Sequence, residues 1–409
     1  MNNYLLGRQP IIDREEKIFA YELLFRSEQS LQKPPSGEGS LSTSGVIIST
    51  LSGIAAGEVL GKQHKGVITI NADLLMNPAL TSLPCEKIIL NLNQDHPATE
   101  DIIERCRKLK VSGFVLALEQ QTVQQKNAEL YQVVDIVGIN LRRTPLDRLR
   151  SVISQYRQFP VKLLAQTVET RSEFKDCQAL GFDYCQGSFY TKPSTVAKNK
   201  INETTGTLLR IVHQIINDAE SEVIVRIIQE NLGLTYKLLL QANSATVGAR
   251  RVIDSVRHAV SLLGRDQIRR WAQQELLASS NSQDQDNPLV DMASVRASFM
   301  GYLTKCHPML RGFRDAADRA FLTGTLSMLE LIYNISLEDI VKEVELSEDV
   351  KTALLRRAGL FGEMLTFVEA LEQLDFDTSW ALLSKMKIAN VEMLDAQRRS
   401  FHWKTGGVA

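Results

Sequence analysis

The stretch "KIILNLNQDHPATEDIIERCRKLKVSGFVLALE" (87–119) decides the fold, because two short apolar runs flank an amphipathic segment. The runs "KIILNLN" (87–93) and "GFVLALE" (113–119) have the length and the apolar content of buried strands. Between them, residues 97–112 place apolar side chains at helical spacing, which predicts an amphipathic helix. Strand, helix and strand in succession are typical of a parallel sheet.

The same alternation continues along the first half of the chain. Further buried strands are predicted at "GVITINA" (66–72), "IVGINL" (136–141) and "VKLLAQTV" (161–168), and Gly181 is expected to end a helix over residues 172–181. So many repeats over about 190 residues favour a (β/α) TIM-like barrel over an open sheet. In such barrels the functional residues lie where the strands end.

The strand pattern stops at the polar stretch "TKPSTVAKNKINETTG" (191–206). The predicted organisation is a barrel domain over 1–193, a linker over 194–206 and an all-α domain over 207–409. Within the α domain, the stretch "SVRHAVSLLG" (255–264) begins with Ser255, a candidate helix N-cap, and ends with Gly264, a candidate helix end. In "SLEDIVKEV" (336–344), Ser336 and Asp339 form a candidate capping box.

Composition excludes several classes of function. Among 409 residues, 47 Lys and Arg balance 48 Asp and Glu, so there is no electrostatic reason to expect nucleic acid as a partner. The pair Arg269–Arg270 beside Trp271 indicates a solvated helix face. The five cysteines form no C-x-x-C pair and indicate reduced thiols, and the six histidines, His213 and His258 among them, form no His-Asp pair. The N-terminal stretch is too polar for a signal peptide or membrane insertion, so we expect a cytoplasmic protein.

Two anchors identify a family. The segment "RQPIIDREEKIFAYELLFR" (8–26) resembles the opening of the EAL family of cyclic-di-GMP phosphodiesterases, which has Gln-Pro-Ile-Val, a turn and Tyr-Glu-Ala-Leu. The segment "GFDYCQGSFYTKP" (181–193) is similar to the closing Gly…Gln-Gly…Pro motif of that family. Residues 227–264 resemble HDOD, a metal-free relative of the HD phosphohydrolases, in their Asn-Ser and closing Leu-Gly signatures. The whole resembles the bacterial EAL–HDOD, or YuxH-like, signal-transduction proteins.

The resemblance implies which positions form the catalytic site of an EAL enzyme. Glu22 matches the first metal ligand, Arg26 the residue that contacts substrate phosphate, and Asn71 the Asn among the metal ligands. Gln186 matches the Gln beside the substrate, and Glu119 stands at the first of two paired aspartates. Glu22 also has a plain structural interpretation, as a carboxylate held by a neighbouring amide or Arg.

Most other catalytic positions have lost the residue that the family carries. The Lys that helps to activate water is replaced by Gly138. Amides replace carboxylates at the other five positions, which are Asn91, Gln94, Gln120, Asn140 and Gln166. EAL enzymes hydrolyse a phosphodiester with two divalent cations, which need a cluster of carboxylates. Because only Glu22 and Glu119 remain as carboxylates, we expect no catalytic residue, no bound metal and no cofactor. Weak binding of a single Mg²⁺ stays open as an alternative.

The leading hypothesis is a non-catalytic bacterial signal-transduction protein that acts through protein partners, in cyclic-di-GMP-related regulation such as motility or biofilm formation. The loops 32–45 and 278–288 are candidate docking regions. Two alternatives stay open: a cyclic-di-GMP receptor without hydrolysis, which the loss of metal charges disfavours, and a metal-dependent phosphodiesterase. The partner, the regulated process and the oligomeric state are not defined by the sequence.

Overall fold

The computed structural model describes most of the chain, and all structural statements concern the described part. The described residues are 4–27, 60, 64–93, 98–120, 122–144, 146–190, 203–245, 253, 255–278, 288–313, 315–333, 336–343 and 346–401. Gln94 and both candidate docking loops, apart from the ends of the second, lie outside them.

Contacts divide the chain into two compact units, which are treated separately below. The barrel unit comprises Met1–Lys192, Asp286–Pro288 and Phe367–Ala409, and the helical unit comprises Pro193–Gln285 and Leu289–Thr366. This division differs from the predicted domain over 207–409, because the last part of the chain packs on the barrel.

The barrel unit contains a closed barrel of eight strands in sequence order. They are β1 Tyr4–Asp13, β2 Ile18–Ser27, β3 Lys65–Ile70, β4 Ile88–Leu92, β5 Val115–Glu119, β6 Ile136–Asn140, β7 Lys162–Val168 and β8 Tyr184–Gly187. Strands β2 to β8 pair with one another in parallel, as expected for a TIM-like barrel. The predicted fold class, a TIM-like α/β barrel combined with an all-α domain, is thereby confirmed.

Strand β1 departs from the parallel pattern, since it runs antiparallel to both β2 and β8. The cause is a tight hairpin that reverses the chain after β1. The carboxylate of Asp13 accepts hydrogen bonds from the backbone N–H groups of Glu15 and Lys17, at 3.0 and 2.8 Å. Glu16 has a left-handed φ of 60° in this turn. The hairpin thus places β1 between the two ends of the parallel sheet, where it closes the barrel.

The barrel is filled by an apolar layer, to which each strand contributes at least one inward-facing side chain. Phe19 and Tyr184 stack in this layer with ring centroids 4.0 Å apart. The buried members are Ile11, Ala20, Val67, Ile89, Ala117, Ile136, Leu164 and Tyr184. Alternation along each strand then directs the next inward residues toward the carboxyl ends of the strands.

Helices cover the outside of the barrel between the strands. They are α1 Ala72–Met76, α2 Glu100–Val111, α3 Ala128–Val133, α4 Leu146–Tyr156 and α5 Arg171–Leu180. Gly181 ends α5 with a left-handed φ of 93°, which confirms the predicted helix end.

The helical unit contains only helices among its described residues. They are α6 Glu203–Ile216, α7 Ser221–Gln229, α8 Leu232–Ala245, α9 Val256–Ala278, α10 Pro288–Cys306, α11 Ala316–Tyr333, α12 Leu337–Glu343 and α13 Glu348–Arg356. Helix α14 Gly359–Glu372 continues into the barrel unit, which also contains α15 Phe376–Met386 and α16 Asn390–Phe401. No helix in the described ranges has the length and apolar character that spanning a membrane requires.

Local signals in the helical unit are confirmed at the predicted helix ends. Ser255 Oγ accepts a hydrogen bond from the N–H of His258, and Gly264 interrupts α9 with a φ of 72°. Ser336 Oγ accepts from the N–H of Asp339. The prediction of a solvated face at Arg269–Arg270 is wrong for Arg269, whose guanidinium pairs with Asp318 on α11.

Gly187 offers a test of the barrel closure. A Cβ on Gly187 would lie 1.9 Å from the carbonyl oxygen of Val168, and its φ is 153°. We therefore predict that Gly187→Ala lowers the free energy of unfolding by on the order of 3 kcal/mol, measured by chemical denaturation. Gly233→Ala on α8 is the control, since its Cβ would meet Asn231 Oδ1 at 3.4 Å and nothing nearer. Equal stability of the two variants would contradict this account.

Candidate functional site

The inward residues at the carboxyl ends of the strands line one side of a small cavity whose remaining wall is the apolar layer. Its polar lining combines one carboxylate with amides and one glycine, namely Glu22, Asn91, Gly138, Gln166 and Gln186. These are positions that the sequence singled out, on β2, β4, β6, β7 and β8. The structure therefore brings half of the ten candidate residues of the described barrel together at one cavity.

Glu22 is held by donors from the protein itself. Gln186 Nε2 donates to Glu22 Oε2 in a short hydrogen bond and to Gln9 Oε1 at 2.8 Å. The hydroxyl of Thr69 also bonds the Glu22 carboxylate. Asn91 Nδ2 in turn donates to Thr69 Oγ1 at 3.1 Å. We call these five side chains the amide belt; it runs through the neighbouring strands β4, β3, β2, β1 and β8.

The register of the sheet explains why these side chains meet. Gln9 lies directly opposite Glu22 in the β1–β2 pair, and Thr69 lies directly opposite Asn91 in the β3–β4 pair. Gln186 lies opposite Ile11 in the β1–β8 pair, two residues along β1 from Gln9. Because residues two apart on a strand share a face, Gln186 reaches both Gln9 and Glu22. Gln9 and Thr69 were missed as site residues, although Gln9 belongs to the Gln-Pro opening motif.

The environment of Glu22 favours its neutral form. Burial raises the pKa of the Glu22 carboxyl, and the negative charge of Glu119 raises it further. The hydrogen bonds from Gln186 and Thr69 act in the opposite direction but do not cancel the effect of burial. Thr69 itself is exposed at the mouth of the barrel.

Five candidate residues do not line the cavity, and three of them retain the residue type or charge that the family carries. Asn71 Oδ1 accepts a hydrogen bond from the N–H of Leu74 at 2.9 Å and thereby caps helix α1. Arg26 is the penultimate residue of β2 and lies at the carboxyl end of that strand. Glu119 is the last residue of β5, opposite Gly138, and acts on Glu22 through its charge.

Two replaced ligand positions serve the neighbouring loops. Gln120 is buried, and its Oε1 accepts a hydrogen bond from Asn127 Nδ2 at 3.1 Å, which ties the end of β5 to the turn before α3. Asn140 Oδ1 accepts from the backbone N–H of Arg142 at 2.9 Å. These contacts give both side chains a structural role after β5 and β6.

Gly138 and Gln166 are coupled through space. A Cβ on Gly138 would lie 3.1 Å from the side-chain Cδ of Gln166, so the carboxamide rests against the bare Cα of the glycine. Gln166 Oε1 is buried and makes no hydrogen bond. A long side chain at position 138 would need Gln166 to move. Gly138 and Gln166, at the positions where the resemblance implies a Lys and a carboxylate, therefore form one local arrangement.

Thr167 is a third residue that the sequence reasoning missed. It stands where the family motif Ala-Glu-Gly has glycine, and it keeps a left-handed φ of 61° at the irregularity of β7 between Ala165 and Val168. Such a φ is unfavourable for a β-branched residue. Its hydroxyl lies 3.0 Å from Asn140 Oδ1 and 2.6 Å from the carbonyl oxygen of Gln166. The signal was a threonine at a glycine position.

A pair of divalent cations does not fit this set of donors. Among the described residues, no three His, Cys, Asp or Glu side chains lie close enough together to hold a metal. The carboxylate of Glu22 is already bonded by Gln186 and Thr69, and the adjoining ligand positions carry neutral amides. Hard cations prefer several charged oxygens, which the cavity lining does not supply.

Both halves of the chain match known proteins or protein-family models. An EAL domain model matches residues 79–193 and an HDOD domain model matches residues 202–344. The chain is 26% identical over 388 residues to "Uncharacterized protein YuxH" of Bacillus subtilis (strain 168), with 91% of each chain covered. It is 26% identical over 376 residues to "Cyclic di-GMP phosphodiesterase CdgJ" of Vibrio cholerae serotype O1, with 91% of this chain and 85% of the relative covered.

A solved EAL domain protein from Listeria monocytogenes EGD-e is 17% identical, with a TM-score of 0.38, over 46% of this chain and 88% of that chain. The family models together with the two full-length relatives define the class: this is an EAL–HDOD protein, with an EAL domain followed by an HDOD domain.

Glu22→Gln tests the state of the carboxyl group. When folding raises the pKa of a carboxyl group, as it does for Glu22, the folded protein loses stability as the pH rises from the pKa of the unfolded state through that of the folded state. We therefore predict that Glu22→Gln raises the free energy of unfolding at pH 8 and that this gain shrinks toward pH 4, as measured by chemical denaturation at several pH values. The exposed Glu15→Gln is the control. A Glu22→Gln variant less stable than wild type at pH 8 would contradict the assignment.

Thr167→Gly tests the strain in β7. Glycine adopts the left-handed φ of 61° freely, so the variant is expected to gain about 1 kcal/mol of stability despite the lost hydroxyl contacts. Thr170→Gly is the contrasting variant, since Thr170 has an extended φ of −130° and caps α5. It should lose stability. If Thr167→Gly loses as much, the hydroxyl contacts outweigh the strain.

Proposed function

We propose that the protein is a non-catalytic component of cyclic-di-GMP-related signalling that acts through protein contacts. The observation that carries the proposal is the amide belt, in which Glu22 is bonded by Gln186 and Thr69 at the position where an EAL enzyme holds its first cation. A barrel mouth satisfied by its own amides is stable without metal ions, whereas a carboxylate cluster needs cations to offset its mutual repulsion.

The remaining positions support the same proposal. Gly138 has no side chain to activate a nucleophile, and proton-transfer groups of this kind contribute roughly 10²–10⁴-fold to catalysis. Gln166 occupies the space beside Gly138, and Gln120 is tied to Asn127. Gly138, Gln166 and Gln120 thus serve the packing of the barrel mouth and its adjoining turn.

The cellular setting follows from the two domains. The resemblance to EAL–HDOD proteins and the V. cholerae relative named as a cyclic-di-GMP phosphodiesterase both support a role in this signalling system, with motility or biofilm formation as outputs. We propose no catalytic chemistry for the HDOD domain. Its presence supports a role in protein contacts.

A metal-dependent phosphodiesterase is the second candidate, because the name of that relative favours it. The retained Glu22, Asn71 and Gln186 are compatible with it, and the amides at positions 91 and 166 oppose it. A receptor that binds the dinucleotide without cutting it is a further alternative, in which Arg26 would contact phosphate.

The hydrolysis assay separates the first two candidates. Purified full-length protein is incubated with cyclic-di-GMP and Mg²⁺ or Mn²⁺, and the linear dinucleotide is quantified by chromatography beside an active EAL enzyme. We predict no product above the protein-free control. Steady product formation that Glu22→Gln abolishes would refute the proposal. Product that survives Glu22→Gln would identify a contaminating enzyme.

Calorimetry separates the receptor from the protein-contact hypothesis. Titration of cyclic-di-GMP into the same preparation is expected to give no saturable heat at micromolar protein concentration. Saturable binding that Arg26→Ala abolishes would favour the receptor. Affinity purification from the native cell, with the unmodified tag as control, then identifies the partner that the leading proposal requires.

A further inference from the structure

The connection between helices α10 and α11 displays two large apolar side chains to solvent. Phe313 is 71% exposed and Met309 is 65% exposed. Among the large apolar side chains of the described residues, only that of Val111 is more exposed than that of Phe313. Exposed apolar side chains that lie together, in contrast to single ones, mark sites of interaction. We call residues 305–313 the apolar turn.

Hydrogen bonds hold the backbone of the apolar turn in a defined shape. The carbonyl oxygen of His307 accepts from the N–H of Leu310 at 3.1 Å, and that of Leu310 accepts from the N–H of Phe313 at 3.1 Å. His307 Nδ1 accepts from the N–H of Met309 at 3.1 Å. Burial lowers the pKa of His307, and the charge of Glu363 offsets only part of this effect, so the neutral ring that can accept is favoured. Because His307 and Leu310 are buried, they anchor a turn that presents Met309 and Phe313 to solvent.

The charges of the apolar turn have one sign. Lys305 and Arg311 are exposed, and residues 305–313 include no Asp or Glu. Within the described part of the chain, neither cation pairs with a carboxylate. Asp315, the next acid along the chain, is bonded by Arg319 at 3.4 Å. Since physiological salt screens charges over about 8 Å, a partner at this turn meets local positive charge although the whole chain carries a net charge of −1.

We propose that the apolar turn is a peripheral contact site for an anionic lipid surface. Apolar side chains enter the interfacial layer of a bilayer, while neighbouring Lys and Arg side chains stay at the level of the anionic headgroups. Because Met309 and Phe313 are both mostly exposed, they project from the turn and do not line a groove. A fluid lipid interface accepts such a projection, whereas a protein partner would have to supply a pocket that matches it. The contact requires no membrane-spanning helix and is additional to the protein contacts proposed above.

Sedimentation of the full-length protein with vesicles tests the proposal. Vesicles of phosphatidylcholine and phosphatidylglycerol in equal amounts are compared with vesicles of phosphatidylcholine alone, at low and at physiological salt. We expect saturable binding to the anionic vesicles that weakens as the salt concentration rises. Met309→Ser/Phe313→Ser should weaken this binding by roughly tenfold or more, because two apolar side chains no longer leave water. Arg311→Gln should weaken it about fivefold, since one positive charge is lost.

Two further variants separate the apolar turn from other exposed surfaces. Tyr236→Ser/Leu240→Ser is the matched control, because it removes side chains that are 64% and 53% exposed on helix α8 of the same unit. It should bind vesicles like the wild type. Phe313→Trp keeps a large ring at the turn and should retain binding. Its added fluorescence should be quenched by bromine-labelled lipid, in comparison with the wild type on the same vesicles.

Several results would overturn the proposal. Equal binding by the wild type and Met309→Ser/Phe313→Ser, or equal loss in both double variants, would show that the apolar turn is not the contact site. Equal binding to both kinds of vesicle would refute the recognition of anionic lipid. Binding of Phe313→Trp without quenching would show that the turn stays outside the bilayer. Absence of binding to either vesicle would refute the lipid contact and make an acidic segment of a protein the better match for the same charges.

Discussion

The hydrogen bonds that the protein itself supplies to Glu22 are the contact on which the barrel mouth depends. A carboxyl group inside a barrel must be neutralised by cations, satisfied by donors or kept protonated. Here Gln186 and Thr69 supply donors, and burial raises the pKa so that the neutral form is favoured. Because Gln186 also binds Gln9, and Asn91 binds Thr69, one carboxyl group organises side chains on β1, β2, β3, β4 and β8. Glu22 is thus the centre of a network of hydrogen-bonded side chains on five strands.

Residues at the barrel mouth form local pairs whose side chains fit one another. Gln166 lies against Gly138, so the space of one lost residue is filled by the replacement of another. Thr167 keeps the backbone conformation of a glycine and contacts Asn140 with its hydroxyl. Such coupling means that restoring one ligand at a time disturbs a packed arrangement before it creates a metal site. The account therefore explains the substitutions as a set.

The sequence predicted the elements whose signals are local. Strands β3 to β7 followed from short apolar runs, and Gly181, Ser255 and Gly264 marked helix ends through their backbone or capping preferences. The pairing of β1 and the return of α16 to that strand were not predictable in the same way, since Gln397 and Leu6 are 391 positions apart and carry no periodic signal. Motif matching placed Asn71 and Gln120 at the site, but the direction of their side chains depends on Leu74 and Asn127, which the motif does not include.

A crystal structure of the full-length protein grown with millimolar Mn²⁺ tests the central claim most directly, because anomalous scattering locates Mn²⁺ independently of any activity. The account predicts no anomalous peak at Glu22, with Gln186 Nε2 within hydrogen-bonding distance of its carboxyl oxygen and Asn91 bonded to Thr69. A peak coordinated by Glu22, with Gln186 turned away from it, would show that the barrel mouth is a metal site and would contradict the account.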